Sequence, residues 1–217
     1  MAESGELIVK SYLKNVKKCE IVEINWNLPI ENKEDIIQNQ NVKKIIETVI
    51  HNYQEIKLKD NQEEIEDFIN KRLLNQVEID VVGYSKKSGY ILNEVAIHTN
   101  SLNYGSNGDT VERVVKKILR LLVILIGYFK VTKGEINFFA VKSATTEKQI
   151  KINNFVNAIN LTLAKMNLTD IKVNMISDDK FCKIYEEIKE TVSPRSTNEF
   201  ERFLNINKVV KECENNN

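Results

Sequence analysis

Asp80 and Glu94 are the two residues whose type and spacing point most directly to chemistry. They stand in Val77–Thr99, VEIDVVGYSKKSGYILNEVAIHT, with thirteen residues between them. Two runs rich in β-branched and aromatic residues, Val77–Tyr84 and Gly89–His98, flank the polar link Ser85-Lys86-Lys87-Ser88. That is the composition of an antiparallel hairpin with a short loop. Strand side chains alternate between faces. Glu78, Asp80, Val82 and Tyr84 therefore share one face of the first strand, and Tyr90, Leu92, Glu94, Ala96 and His98 share one face of the second. A turn centred on Lys87 sets Asp80 opposite Glu94, with Cβ atoms about 5 Å apart. Carboxylates held that close repel one another, and apolar surroundings raise the cost. A divalent cation relieves both problems, and Mg²⁺ is commonly held by one or two carboxylates with waters and substrate phosphate. The competing reading is an ordinary half-exposed hairpin whose acids face water. A one-residue slip of register would send the two carboxylates to opposite faces.

Asp80, thirteen residues, then Glu94-Val95-Ala96 resembles the acidic strand and the acidic-x-Lys strand of the PD-(D/E)XK nuclease superfamily, the restriction-endonuclease-like fold. Gly5-Glu6-Leu7-Ile8-Val9 with Tyr12-Leu13 resembles that family's first helix, and the likeness covers residues 1–30 and 76–142. The resemblance implies an α/β (α+β) domain with a mixed sheet and an αβββαβ core over residues 1–217. It also implies a helical insertion at about 31–75 and a C-terminal helical extension at about 178–213. It implies Mg²⁺, with Mn²⁺ as a substitute, on Asp80, Glu94 and the backbone carbonyl of Val95 or Ala96. Glu6 would be a further acid beside them. Ala96 departs from the family, which usually has lysine there. Glu112 and Lys116 of the following helix have the i,i+4 spacing of an ordinary surface ion pair; the sharper reading has Lys116 or Arg113 replace the missing lysine, with Lys86, Lys87 and Lys142 as rivals. His98 shares the face of Glu94 and is either a base, a phosphate contact or a plain strand-end histidine.

Composition narrows the partners. Lys+Arg and Asp+Glu are both 31, so nucleic-acid binding would rest on a local patch rather than on net charge. Candidate DNA contacts are Lys86 and Lys87 in the hairpin turn, Asn100, Asn103, Tyr104 and Asn107 in the link Asn100–Asp109, and Lys142 and Lys148 in the basic stretch between Lys130 and Lys151. Turn geometry and a solvated face are the plain explanations for the same residues. The three cysteines form no CxxC pair and there are two histidines, which argues against a structural zinc site and for a reducing cytoplasm. The first residues lack a secretory pattern, and the apolar run Leu121–Phe129 is too short to span a membrane.

The elements that must position these residues read in order. A helix over 3–18 has Leu7, Ile8, Val16 and Tyr12 inward, and a strand over Cys19–Leu28 stops at Pro29. Helices fill 33–75. After the hairpin comes a helix over Val111–Tyr128, capped by Asp109 or Thr110 and apolar nearly all round from Ile118 apart from Arg120. A strand Glu135–Val141, a helix to about Met166, a strand Asp170–Ser177 and helices over 178–192 and Thr197–Cys213 complete the chain. Trp26 is a packing residue or a base-stacking one.

The expected activity is metal-dependent hydrolysis of DNA phosphodiester bonds, as in a type II-like restriction endonuclease. By fold-level analogy this implies a duplex DNA site, a homodimer on a palindrome and a companion DNA methyltransferase. The alternatives are a catalytically degenerate scaffold of the same fold, which Ala96 and the zero net charge favour, and a repair or junction nuclease. Asp80→Asn and Glu94→Gln are each expected to abolish cleavage with folding intact.

Overall fold

The computed structural model describes residues 4–53, 63–75, 77–97, 102–104, 110–193, 200–202 and 204. Its centre is a five-stranded mixed sheet in the order β1-β2-β3-β4-β5. Strands β1 (Ile21–Asn27), β2 (Glu78–Ser85) and β3 (Gly89–Ala96) form an antiparallel meander, and β4 (Gly134–Ala140) and β5 (Ile171–Ile176) continue it in parallel. Parallel neighbours require crossovers. These are α5 (Thr110–Gly127), between β3 and β4, and α6 (Thr146–Lys165), between β4 and β5.

Alternation along the strands divides the core. Leu92, Ile136, Phe138 and Val173 point to the layer that holds α5 and α6. Ile91 and Phe139 point to the opposite layer, built from α1 (Ser4–Ser11), its π-helical continuation Tyr12–Val16, and α7 (Asp179–Thr191). The first helix turns Val9, Tyr12 and Leu13 inward, whereas Leu7, Ile8 and Val16 are only partly buried. Of the expected inward set, Tyr12 is buried and Ile8 and Val16 pack, partly buried, against the same cluster, whereas Leu7 is not among its residues.

The block 33–75 is part of this core. It contains α2 (Lys33–Gln38), α3 (Gln40–Asn52), and α4 (Ile65–Asp67) with a π-helical turn over Phe68–Leu73. The break falls at Asn39, whose carboxamide oxygen accepts from the Asn41 and Val42 amides and caps α3. Ile36, Ile45, Ile46, Phe68 and Ile69 are fully buried in the same cluster as α5. This explains why α5 is apolar nearly all round. Fourteen of its eighteen residues are buried, since it carries the sheet on one side and the insertion on the other. No helix among the described residues is long and apolar enough to cross a membrane.

A buried amide ladder ties four strands together. Asn93, Asn137 and Asn174 are in register across β3, β4 and β5. Asn174 donates to the Asn137 side chain at 2.9 Å, Asn137 donates to Asn93 at 3.0 Å, and Asn93 donates to the β2 carbonyl of Val81 at 2.8 Å. Buried polar groups cost stability unless bonded, and here each rung satisfies the next.

Candidate active site

The hairpin register fixes the site. Ser85 pairs with Gly89, Tyr84 with Tyr90, and Val81 with Asn93, so the turn is centred on Lys87 as expected. Gly89 takes φ 75° there, a left-handed conformation that glycine adopts without Cβ strain. Val81↔Asn93 is the last pair of the ladder. One step further the strands part and the Asp80 side chain enters the gap, where Oδ2 accepts the Val95 backbone N–H at 2.6 Å. The other neighbour lets go at the same rung. β1 pairs Ile24 with Val81 and Trp26 with Ile79, and between them Asn25 is left-handed at φ 54°. Asparagine tolerates that region better than most residues. Asp80 thus stands where its backbone is released on both sides.

Asp80 and Glu94 share the sheet face that looks at α5. Glu94 is fully buried. Its two oxygens accept from Lys117 Nζ, at 2.7 Å, and from the Arg120 guanidinium. Burial, and then the Glu94 charge, push the Asp80 carboxyl up to about 6, with the Val95 N–H pulling the other way. Lys117 is held above the ordinary lysine range: burial works against its charge, but the neighbouring Glu94 and Tyr104 outweigh it. Tyr104 is raised by burial, with Lys117 opposing and Glu94 and Asp80 reinforcing. Its ring lies 5.9 Å from Lys117 Nζ and 5.8 Å from the Arg113 guanidinium. A cavity of about 440 Å³ opens onto this group, lined by Asn27, Glu78, Asp80, Lys117 and Arg120.

Several expected site residues stand elsewhere. Lys116 does not reach the carboxylates; it pairs with Glu112 one helical turn away. Lys117, its neighbour, makes the contact instead, because residues 113, 117 and 120 share one side of α5 at i, i+4, i+7 spacing and its last two members reach Glu94. Arg113 is exposed beside Tyr104. Lys86 and Lys87 are exposed at the hairpin turn, about 20 Å along the strands from Asp80, so neither can replace the missing lysine. Lys142 is exposed directly after β4, at the Glu94 end of the sheet, and Lys148 is half-buried in the first turn of α6. Glu6, in α1, is near enough for its charge to raise Asp80 slightly. Gly5 beside it allows this approach, since a Cβ there would meet Val95 Cγ1 at 2.9 Å. Asn103 is exposed, and its side chain accepts from Thr110 at the start of α5 at 3.4 Å. His98, Asn100, Asn107 and Asp109 lie outside the described residues.

Lys117 and Arg120 are the site residues that the strand motif did not reveal. Arg120 carried a signal: a lone arginine in the apolar half of a helix requires a buried acid. Glu94 is the single acid of the facing strand β3.

Asp80 and Val95 fit an oxygen-coordinated cation. Asp80 Oδ1 has no hydrogen-bond partner among the described residues and adjoins the cavity. The Val95 carbonyl projects to the same side as its N–H, toward the gap, as in any extended residue. Glu94 fits on condition that it exchanges one of its two cations. Among the described residues no group of three or more His, Cys, Asp or Glu is placed to hold a metal ion, and a two-carboxylate set is one Mg²⁺ accepts. No family model, curated protein or solved structure matches the chain.

Proposed function

We propose that this chain is a metal-dependent endonuclease acting on DNA, of the restriction-endonuclease-like kind. The observation that carries the reading is the meeting of Asp80 and Glu94 across a parting hairpin, with a lysine on the second acid. The element order supports it: α1, β1, β2, β3, α5 and β4 run in the αβββαβ sequence that the resemblance implies. Asp80, Glu94 and the Val95 carbonyl would hold Mg²⁺ or Mn²⁺, which supplies Lewis-acid polarisation of the phosphoryl group.

The chain's own residues divide the remaining work. Lys117 is the more exposed of the two cations on Glu94, at 31% against 11% for Arg120. Its ammonium sits on a flexible stem, so it is the one that turns to a phosphoryl oxygen and offsets charge developing there. Arg120 stays on Glu94 and fixes its carboxylate plane. Glu6 adds negative potential from the far side of β3. A type II-like restriction role, with a homodimer on a palindromic duplex and a companion methyltransferase, is the finer form of this proposal.

A second reading has its own observation. Both Glu94 oxygens are already engaged by cations, which is what a retired site that keeps its fold would show. Incubation with plasmid DNA separates the two. Discrete fragments that form with Mg²⁺ and vanish with EDTA are expected; a smear indicates a nonspecific nuclease, and intact plasmid at every metal concentration sinks the enzyme reading. Lysine scanning refines it. Lys117→Ala should lower the cleavage rate about 10²- to 10³-fold, the size of losing one electrostatic donor to the transition state. Lys116→Ala should stay within about threefold, since its partner is a surface ion pair. The reverse ranking, measured in single-turnover cleavage, would return the role to Lys116.

A further inference from the structure

A second concavity, of about 380 Å³, lies beside the carboxylates and shares Lys117 and Arg120 with them. One wall is α5, which contributes Arg113, Lys116, Lys117 and Arg120. The other is the π-helical turn of the insertion, which contributes Lys71 and Arg72. Six cations line it and no carboxylate does. The acids that neutralise them stand outside the lining: Asp67 on Lys71, Glu63 on Arg72, Glu112 on Lys116, and Glu94 on Lys117 and Arg120. Arg113 has no carboxylate partner among the described residues. Tyr104 lines the same concavity, and its hydroxyl oxygen is buried without a hydrogen-bond partner among the described residues. A buried hydroxyl left unbonded is costly, and an incoming anion would satisfy it.

We propose that this trench seats the phosphodiester backbone of one nucleic-acid strand next to the Asp80–Glu94 site, with the inserted turn 68–73 as its second wall. The proposal deepens the nuclease reading and rests on it for the identity of the anion. It gives the insertion a substrate-holding role in addition to its packing on α5. A concavity of this size admits a backbone segment, and phosphate contacts set the position of a strand without reading its sequence. Tyr104 offers both a hydroxyl for the phosphate and a ring face beside two cations.

The test uses the full chain in EDTA, so that binding is read without cleavage, with a fluorescent DNA oligonucleotide in single-stranded and duplex form. Anisotropy is followed across about 50 to 200 mM salt. Lys71→Ala/Arg113→Ala removes two exposed cations from opposite walls. The slope of log K against log[salt] should fall in magnitude by about 1.4 for the single strand or 1.8 for the duplex, and affinity at about 0.1 M salt should drop about 25- to 60-fold. Lys165→Ala/Lys172→Ala makes the same change of net charge at the β5 edge of the sheet and should leave the slope unaltered. An unchanged slope in the trench variant, or an equal loss in the β5-edge variant, overturns the trench while leaving metal-dependent cleavage untouched. A trench-dependent slope in a chain that cuts nothing upholds the trench and removes the nuclease reading instead.

Discussion

Replacing Asp80 by asparagine is expected to abolish cleavage and to make the metal-free protein more stable at pH 8. The loss of activity should be at least about 10³-fold, the several kcal/mol that a metal-held charge contributes to the barrier. The gain follows from the raised carboxyl. Asp80 titrates at about 6 in the fold, against about 3.9 for an unperturbed aspartate. The native state therefore binds this proton more tightly than the unfolded state. The Asp80 contribution to stability is most favourable below about pH 4, declines as pH rises to about 6, and stays lowered above it, by at most about 3 kcal/mol. Asparagine carries no charge to desolvate, and its carboxamide oxygen can still accept the Val95 N–H. Urea titrations in EDTA should show Asp80→Asn more stable by about 1–3 kcal/mol at pH 8 and matched to the parent near pH 4. A variant less stable than the parent at pH 8 would contradict the strained carboxylate. On the nuclease reading, cleavage by the parent should fade as pH falls through about 6, because the protonated acid is a poor cation ligand.

Glu94→Gln is expected to behave in the opposite way. Its carboxylate has no solvent exposure and answers two cations, one of them nearly buried. Removing one member of such a group leaves uncompensated charge and costs about 3–5 kcal/mol. Thermal unfolding at pH 7 should shift downward by about 6–20 °C for a chain of this size. The expectation from sequence that this substitution leaves folding intact is thereby corrected, and Asp80→Asn becomes the diagnostic variant for catalysis. Glu94→Gln combined with Arg120→Met should recover part of the loss, as a coupled pair must. A single variant that melts within about 1 kcal/mol of the parent would mean that the triad is not closed as described.

The sheet and its order were readable because their signals are local. Alternation in Val77–Tyr84 and Gly89–His98, the four-residue polar link and the apolar strand at Glu135–Val141 each specify their own geometry, and the register about Lys87 followed from the link alone. That Lys117 is the lysine on Glu94 was not readable, for an equally physical reason. Glu112 and Lys116 have the right spacing to pair along a helix, but which side of α5 meets β3 depends on how the insertion packs against it. That tertiary contact is written in Ile36, Ile46 and Phe68 together, far from Lys117 in sequence. The same holds for the trench. Lys71 and Arg72 look like ordinary surface charges until the fold lays them across from Arg113. The local pattern of Asp80 placed it opposite Glu94, yet gave no sign that β1 would release it at Asn25.

The amide row of Asn93, Asn137 and Asn174 acts as an alignment check on the sheet. Shifting β3 by a single position would break the Asn137-to-Asn93 and Asn93-to-Val81 links, leaving two carboxamides short of a partner, and, in the same movement, swing Glu94 away from Arg120 and Lys117. Misaligned chains are therefore penalised twice, at places a strand's width apart. The geometry that brings the two acids together is enforced from the face of the sheet opposite α5.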